Sequence, residues 1–509
     1  MSDHSPTFID AKRKRWTNWH ENFSNPIDQL LDIWNCEPEH STIANYNGTS
    51  RGIQALIGRA VKENKSLRAL GGGWSLSPIA TAGGILLNTR PLNYRFRLKH
   101  DHMHAAFKGK VDDLAFVQCG TSVADINKYL RERGKSLRSC GASNGQTIVG
   151  ALSTGTHGSA LDEGAINDQV VAMHILTGPD SSIWLERASR PITKDSLAAA
   201  VGAELKRDDD LFNAAVVSFG NFGIIHSVVL EETDVFYLQA YRVKRPLDEG
   251  MWAAIDRLDF SNINLPKGPG RRPFYFQVVI NPFDTDGGVF NTVMYKDDLK
   301  DPSCAPLESG GRIVEGDGAA EIISVITDTV SEVTSDVTKL LVNSFYPEYQ
   351  GRCGTLGEVF TDTTTRGRVL SAAMGIPLGQ ARKAVEICLR EVKRFEAPVV
   401  LATRYARQTN ATLGFTKFGP QTCILEVDGP QSRRVKSLYN RIWKALDNAG
   451  IEYTFHWGKI NNLNATNVRR LYGEDKVKAW IKARREILPT REQRAVFSNG
   501  FIDELNMSD

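Results

Sequence analysis

The stretch Gly141–Ala160, G-A-S-N-G-Q-T-I-V-G-A-L-S-T-G-T-H-G-S-A, constrains the fold more than any other. Its twenty residues hold five glycines, three serines, three threonines and one histidine, His157. Glycine lets backbone approach a ligand closely and reach positive φ. Successive free N–H groups with hydroxyls beside them make a concavity for anionic oxygens. Taken alone, the stretch reads as a long surface loop or as a loop wrapped around a phosphorylated ligand. A second patch of the same kind, Gly71-Gly72-Gly73-Trp74-Ser75, follows directly on the apolar, strand-like run Leu67–Leu70 and favours the ligand reading. A third cluster, Gly220-Asn221-Phe222-Gly223, precedes a strand candidate over Ile224–Leu230.

The rest of the chain narrows the class mainly by exclusion. With 509 residues there is room for two or three domains and a large core. Sixty-two basic residues against 59 acidic ones, a net charge of +3, give no reason to expect nucleic acid or a membrane surface as partner. No apolar run approaches the roughly 18 residues of a membrane span. The start, MSDHSPTFIDAKRKRW, lacks an apolar core, so no secretory signal is read and a cytoplasmic location is expected. The seven cysteines are scattered without a C-x-x-C pair, which predicts neither a zinc site nor a disulfide framework. The dinucleotide, P-loop and zincin signatures G-x-G-x-x-G after a strand, G-x-x-x-x-G-K-[ST] and H-E-x-x-H are absent.

Periodicity predicts a helix after Ser50, with Ile53, Leu56, Ile57, Ala60 and Val61 on one face. It predicts a strand–helix unit over 114–138 and a hairpin about Gly178-Pro179-Asp180. From about residue 236 the texture changes. Phe274–Ile280 and Val289–Tyr295 read as paired strands, and Ala319–Leu341 as a helix. Pro377 is expected to open a helix through Glu396. Val399–Arg404 and Cys423–Val427 read as strands, Arg433–Asn448 as a second helix, and 470–487 as a third. The fold class is α+β, with an antiparallel sheet covered on one side in the second half.

Several motifs occur in one order: W-T-N-W at Trp16–Trp19, A-L-G-G-G-W-S at Ala69–Ser75, T-I-V-G-A-L-S-T-G-T-H-G-S at Thr147–Ser159, V-S-F-G-N-F-G-I-I at Val217–Ile225 and H-W-G-K at His456–Lys459. Together they resemble the sugar-lactone and alditol oxidase branch of the vanillyl-alcohol-oxidase, or PCMH-type, FAD flavoproteins. The resemblance implies a two-subdomain FAD-binding domain over 1–235, a substrate (cap) domain over 236–430 and a C-terminal segment, 431–509, that completes the active site. It implies FAD contacts from Gly71, Gly72, Gly73, Trp74 and Ser75 in the first loop. The second loop would add Ser143, Thr147, Gly150, Ser153, Thr154, His157 and Gly158, and the third Gly223 and Ile224. A histidine that often carries the covalent flavin bond in these proteins is replaced here by Trp74, whose indole cannot form that link, so non-covalent FAD is expected.

In such proteins hydride leaves an alcohol carbon for the flavin and a proton leaves for a base, while a nearby cation stabilises the developing charge. Arg404, set in the apolar run V-V-L-A-T-R-Y, and Lys459 of H-W-G-K match the family's cations. The glutamate of the family's Glu-x-Arg pair is Ala402 here. Glu426 is either a replacement carboxylate or a strand residue facing water. His456 is either a proton acceptor or an orienting group. No metal site is expected. The expected activity is FAD-dependent oxidation of a CH–OH group of a sugar lactone, polyol or other alcohol, a less polar one included, with oxygen or another electron acceptor. The alternatives are a same-fold flavoprotein with different chemistry and a catalytically reduced FAD-binding protein.

Overall fold

The computed structural model describes residues 5–268, 270–301, 303–306, 346–360 and 368–509. Its N-terminal half is built on two sheets. One has the order Thr7–Asp10, Gln29–Trp34, Ile85–Asn88, Leu67–Leu70 (β1), with the last three strands parallel. The other has the order Glu204–Arg207, Ser182–Glu186, Val170–Leu176, Ile224–Glu231, Leu114–Gln118, Arg95–Arg97. The expected hairpin is present, with Leu176 opposite Ser182. A helix of twenty residues, Ile43–Lys62, buries Ile53, Leu56, Ile57 and Ala60 as its spacing predicts. It starts earlier than expected, because Thr42 rather than Ser50 is its cap. The Thr42 side chain accepts from Asn45 N, while the Ser50 hydroxyl turns back to Tyr46 O.

Behind this helix lies a buried polar cluster. Tyr46 Oη bonds His174 Nδ1 at 2.7 Å and Ser227 Oγ at 2.6 Å. His226 bonds Ser50 Oγ at 3.0 Å and the Gln118 side chain at 2.7 Å. Burial holds both histidines uncharged, His174 down to about 3 and His226 well below its ordinary value.

The second half carries a nine-stranded sheet whose central part has the order Tyr237–Arg245, Val289–Asp297, Tyr275–Ile280, Val400–Arg407, Gln421–Pro430, Val369–Pro377, Thr454–Phe455, all antiparallel. The helices Ala381–Phe395 and Arg433–Asn448 cover one face, with Val385, Cys388, Val435 and Leu438 packed on Leu425 and Val427 in one apolar core. The predicted α+β class and helix-covered antiparallel sheet are what is observed.

Four expectations are corrected. The Gly141–Ala160 stretch is not all loop. It contains a helix, Ile148–Thr154 (α1), capped by Thr147 and ended by Gly155 at φ 78°. Pro377 closes a strand instead of opening a helix, which begins at Ala381. The 470–487 helix is two, Asn467–Tyr472 and Glu474–Ile487, broken at Gly473. Cys304 and Cys353 are joined by a disulfide. The helix expected over Ala319–Leu341 lies outside the described residues.

The tail serves both halves. Thr454–Phe455 joins the large sheet, while Trp480 Nε1 bonds Val217 O and Arg484 Nε bonds Asn221 O in the N-terminal half.

Candidate active site

One wall of the site is backbone. β1 delivers the chain into Gly71–Ser75, which runs against the cap of α1. A Cβ on Gly71 would stand 2.1 Å from Thr147 Oγ1, so no larger residue fits while Thr147 accepts from Gly150 N. Gly73 adopts φ 71° and Gly223 φ 109°, which glycine alone reaches without strain. Trp74 stacks on Trp19, with ring centroids 5.5 Å apart and 5° between planes, and His20 stands edge-on to it at 5.7 Å.

Motifs far apart in sequence meet here. Leu76 N donates to Gly458 O at 2.7 Å, and Ser77 Oγ to Trp457 O at 2.6 Å. The H-W-G-K turn is thereby fixed to the first glycine loop. Ser159 Oγ accepts from Tyr405 N at 3.0 Å and donates to Phe276 O, which ties the T-G-T-H-G-S run to the large sheet.

The other wall is side chains on three adjacent strands, Val369–Pro377 (β2), Val400–Arg407 (β3) and Gln421–Pro430 (β4). Facing residues in the ladder put Ala402 opposite Glu426, Glu426 opposite Ala373, and Ser371 opposite Asp428. Successive side chains alternate between faces, so Ala402, Arg404, Glu426, Asp428 and Ser371 share one face of the sheet. Glu426 does not face water: it is 3% exposed, and its Oε2 lies 3.1 Å from Arg404 Nε. Burial pushes its carboxyl up, but Arg404, Lys459 and His157 together hold it below the ordinary value. Burial and the Glu426 charge raise Asp428 to about 6.

Two histidines stand between the walls, 5.6 Å apart, both against Phe415. His157 Nδ1 donates to Gly158 O at 2.9 Å, which leaves Nε2 as acceptor. His456 Nδ1 accepts from Gly458 N at 3.0 Å, which puts its ring hydrogen on Nε2. Burial lowers His157 to about 4 and His456 well below its ordinary value, so both rings are neutral.

A single cavity runs between the walls. Gly71, Gly72, Gly73, Trp74, Ser75, Ser143, Thr147, Gly150, Ser153, Thr154, His157 and Gly223 line it from the N-terminal side, and Arg404, Glu426, His456 and Lys459 from the other. Two of the expected residues do not line the cavity. Gly158 packs against Cys140 O, and Ile224 is buried in the core, its place on the cavity taken by Ile225. The polar lining residues not expected from the sequence include His20, Gln146, Ser371 and Asp428. The alternation E-V-D at 426–428 carried a signal for Asp428; nothing in the sequence marked Ser371. The buried Ser153 Oγ and Gln146 Oε1 have no hydrogen-bond partner. On a glycine wall that excludes side chains, the orphaned Ser153 hydroxyl can donate to an anionic oxygen such as those of the FAD diphosphate, whereas Gln146 Oε1 calls for a donor.

The comparisons agree with this geometry. Residues 47–185 match the FAD binding domain family. L-gulono-1,4-lactone dehydrogenase of Mycobacterium tuberculosis is 23% identical over 464 residues, 90% of this chain and 92% of the relative. Cholesterol oxidase from B. sterolicum superposes with a TM-score of 0.70 at 14% identity, covering 98% of this chain and 97% of the other. Xylooligosaccharide oxidase from Myceliophthora thermophila C1, solved with xylobiose, superposes with a TM-score of 0.61 at 13% identity over 95% and 92%. The FAD binding domain and the lactone dehydrogenase and oxidase relatives support an FAD-dependent oxidoreductase acting on CH–OH donors. The chain thus carries an FAD binding domain over 47–185 and is similar to the sugar-lactone dehydrogenases and oxidases of the vanillyl-alcohol-oxidase/PCMH-type FAD flavoproteins.

Proposed function

We propose that this enzyme oxidises a CH–OH carbon of a small hydroxylated molecule, with FAD held non-covalently and Arg404, Glu426 and Lys459 carrying the reaction. FAD, when bound, supplies the two-electron acceptor for the hydride. The observation that carries the reading is a strand register. Ala402, where related chains place a glutamate, sits directly opposite Glu426. A carboxylate absent from β3 is supplied at the same height by β4, and Arg404 keeps it ionised.

The remaining roles follow from atoms. Ionised Glu426 accepts the hydrogen bond of the substrate hydroxyl and takes its proton as the C–H electron pair leaves with the hydride. Arg404 and Lys459 oppose the negative charge that gathers in the cavity during that transfer. His456 cannot take a proton at Nε2, which already carries one, so it orients the Gly458 turn and donates toward the cavity. His157 offers Nε2 as an acceptor for the cofactor. The Gly71–Ser75 and 141–157 backbone, with the Ser153 hydroxyl, holds the diphosphate. Trp74, pinned by Trp19, offers no atom for a covalent bond to flavin.

The charged wall favours a hydroxylated substrate, for which the named relatives supply an aldonolactone and a xylooligosaccharide, over a sterol. Oxygen or another acceptor reoxidises the enzyme. The test is acid precipitation of yellow protein followed by anaerobic titration with an aldonolactone, a polyol and a sterol. Flavin released to the supernatant and bleaching by the first two are expected. Flavin held in the pellet would overturn non-covalent attachment, and bleaching by the sterol alone would overturn the substrate class.

A further inference from the structure

The cavity carries polar groups that the reaction above does not use. Asp428 follows Glu426 by two residues on β4, on the same face, and also lines the cavity. Ser371 faces it from β2 and lines the cavity as well, although only 6% of its surface is exposed. Asp428 Oδ1 and Ser371 Oγ are buried, and neither has a hydrogen-bond partner. The Ser371 hydroxyl stands close enough on the facing strand to act on the Asp428 carboxyl, yet neither orphaned atom completes a hydrogen bond. Leaving a buried polar atom unsatisfied costs about 1–3 kcal/mol. A pair of such atoms at one spot in a cavity wall is accounted for by a ligand that satisfies both.

We propose that Asp428 and Ser371 form a second hydroxyl-binding position in this cavity, which decides which carbon of a multiply hydroxylated substrate is presented to Glu426. This inference rests on the reading of Glu426 given above. Two residues along a strand span about 6.6–6.8 Å, so the two carboxyl groups engage hydroxyls on separate carbons of one ring or chain. Asp428 accepts from the remote hydroxyl, and the Ser371 hydroxyl donates to its oxygen. With its carboxyl raised to about 6, Asp428 can also hold a proton and donate in mildly acidic solution. Arg404 and Lys459 offset the two acids, so the position suits a neutral hydroxyl better than a second charged group.

The experiment compares a polyol with its deoxy analogue lacking one remote hydroxyl, in the holoenzyme and in the variants Asp428→Asn and Ser371→Ala. A site built to hydrogen-bond a hydroxyl discriminates strongly against the analogue without it. The wild type is expected to prefer the full polyol by about 100-fold or more in kcat/KM. Each variant should shrink that ratio about tenfold or more, chiefly through KM, and should give a mixture of oxidation positions by product analysis. Flavin content and thermal melting check that the variants fold. An unchanged ratio and a single product position in both folded variants would overturn the proposal. Should no alcohol bleach the wild type, the Glu426 reading fails by itself, and calorimetric titration with the same polyol decides the subsite. Binding that Asp428→Asn abolishes would uphold it; no binding to wild type would overturn it.

Discussion

The two walls of the cavity are made of different materials. The N-terminal wall is backbone on glycine, in the half of the molecule that also buries the neutral histidines His174 and His226. The C-terminal wall is charged side chains on strands, with Arg404 and Glu426 both nearly buried. A backbone wall has one shape and leaves no space for a methyl group. A side-chain wall has only to place a group at a given height, so the carboxylate can move to the neighbouring strand and still meet its arginine. Removing one partner of a buried pair is costly, because the other is left uncompensated.

The largest effect that separates the walls is expected from Arg404→Ala. We expect kcat/KM to fall about 1,000-fold, the scale of losing an electrostatic stabiliser in a closed site, while flavin content stays at the wild-type level. Loss of flavin instead would show that the walls are not separable. Glu426→Ala should cost about 100-fold, in the range of a lost general base. Adding Ala402→Glu to it should recover about tenfold, because the two positions face each other. A double variant no better than Glu426→Ala would refute the relocation.

On the backbone wall, Gly71→Ala should destabilise the protein by about 1–3 kcal/mol, as overpacking does, and weaken FAD uptake. Thr147→Ala in the same chain should restore part of both by removing the atom that the new methyl meets. Denaturant melting and flavin titration check this.

The smallest effect is in pH. His174 and His226 titrate lower in the fold than when unfolded. Their contribution is therefore full above about pH 6.5 and drains as pH falls toward about 3 for His174, by up to about 1.4 kcal/mol per unit for each. Asp428 runs the other way. Raised from 3.8 to about 6, it contributes stability below about pH 4 that is lost as pH rises through 6. Melting curves between pH 4 and 8 should fall on the acid side in the wild type. In Asp428→Asn that acid fall should be steeper, because the opposing contribution is gone.

The same contrast decides what the sequence could reveal. The glycine loops and H-W-G-K carry their chemistry in adjacent residues, so twelve of the fourteen expected cofactor contacts line the cavity. Gly158 and Ile224 lie off the cavity, Gly158 against Cys140 O and Ile224 in the core. Side chains that meet across strands depend on register, which no local pattern fixes. Hence Glu426 stayed ambiguous between site and solvent until Ala402 was found opposite it, and Ser371 gave no signal. The start of the first helix was missed because a serine inside a helix can bond back to the preceding turn and imitate a cap candidate. The Cys304–Cys353 pair lacks any motif spacing, being 49 residues apart.

The central claim is that one wall holds the flavin and the other runs the chemistry. The measurement that tests it most directly is the visible flavin band of wild type, Arg404→Ala and Gly71→Ala, recorded before and after anaerobic addition of an aldonolactone. The account predicts a yellow wild type that bleaches, a yellow Arg404→Ala that stays yellow on the same timescale, and a pale Gly71→Ala. A colourless wild type that takes up no FAD, or an Arg404→Ala protein that bleaches at the wild-type rate, would contradict it.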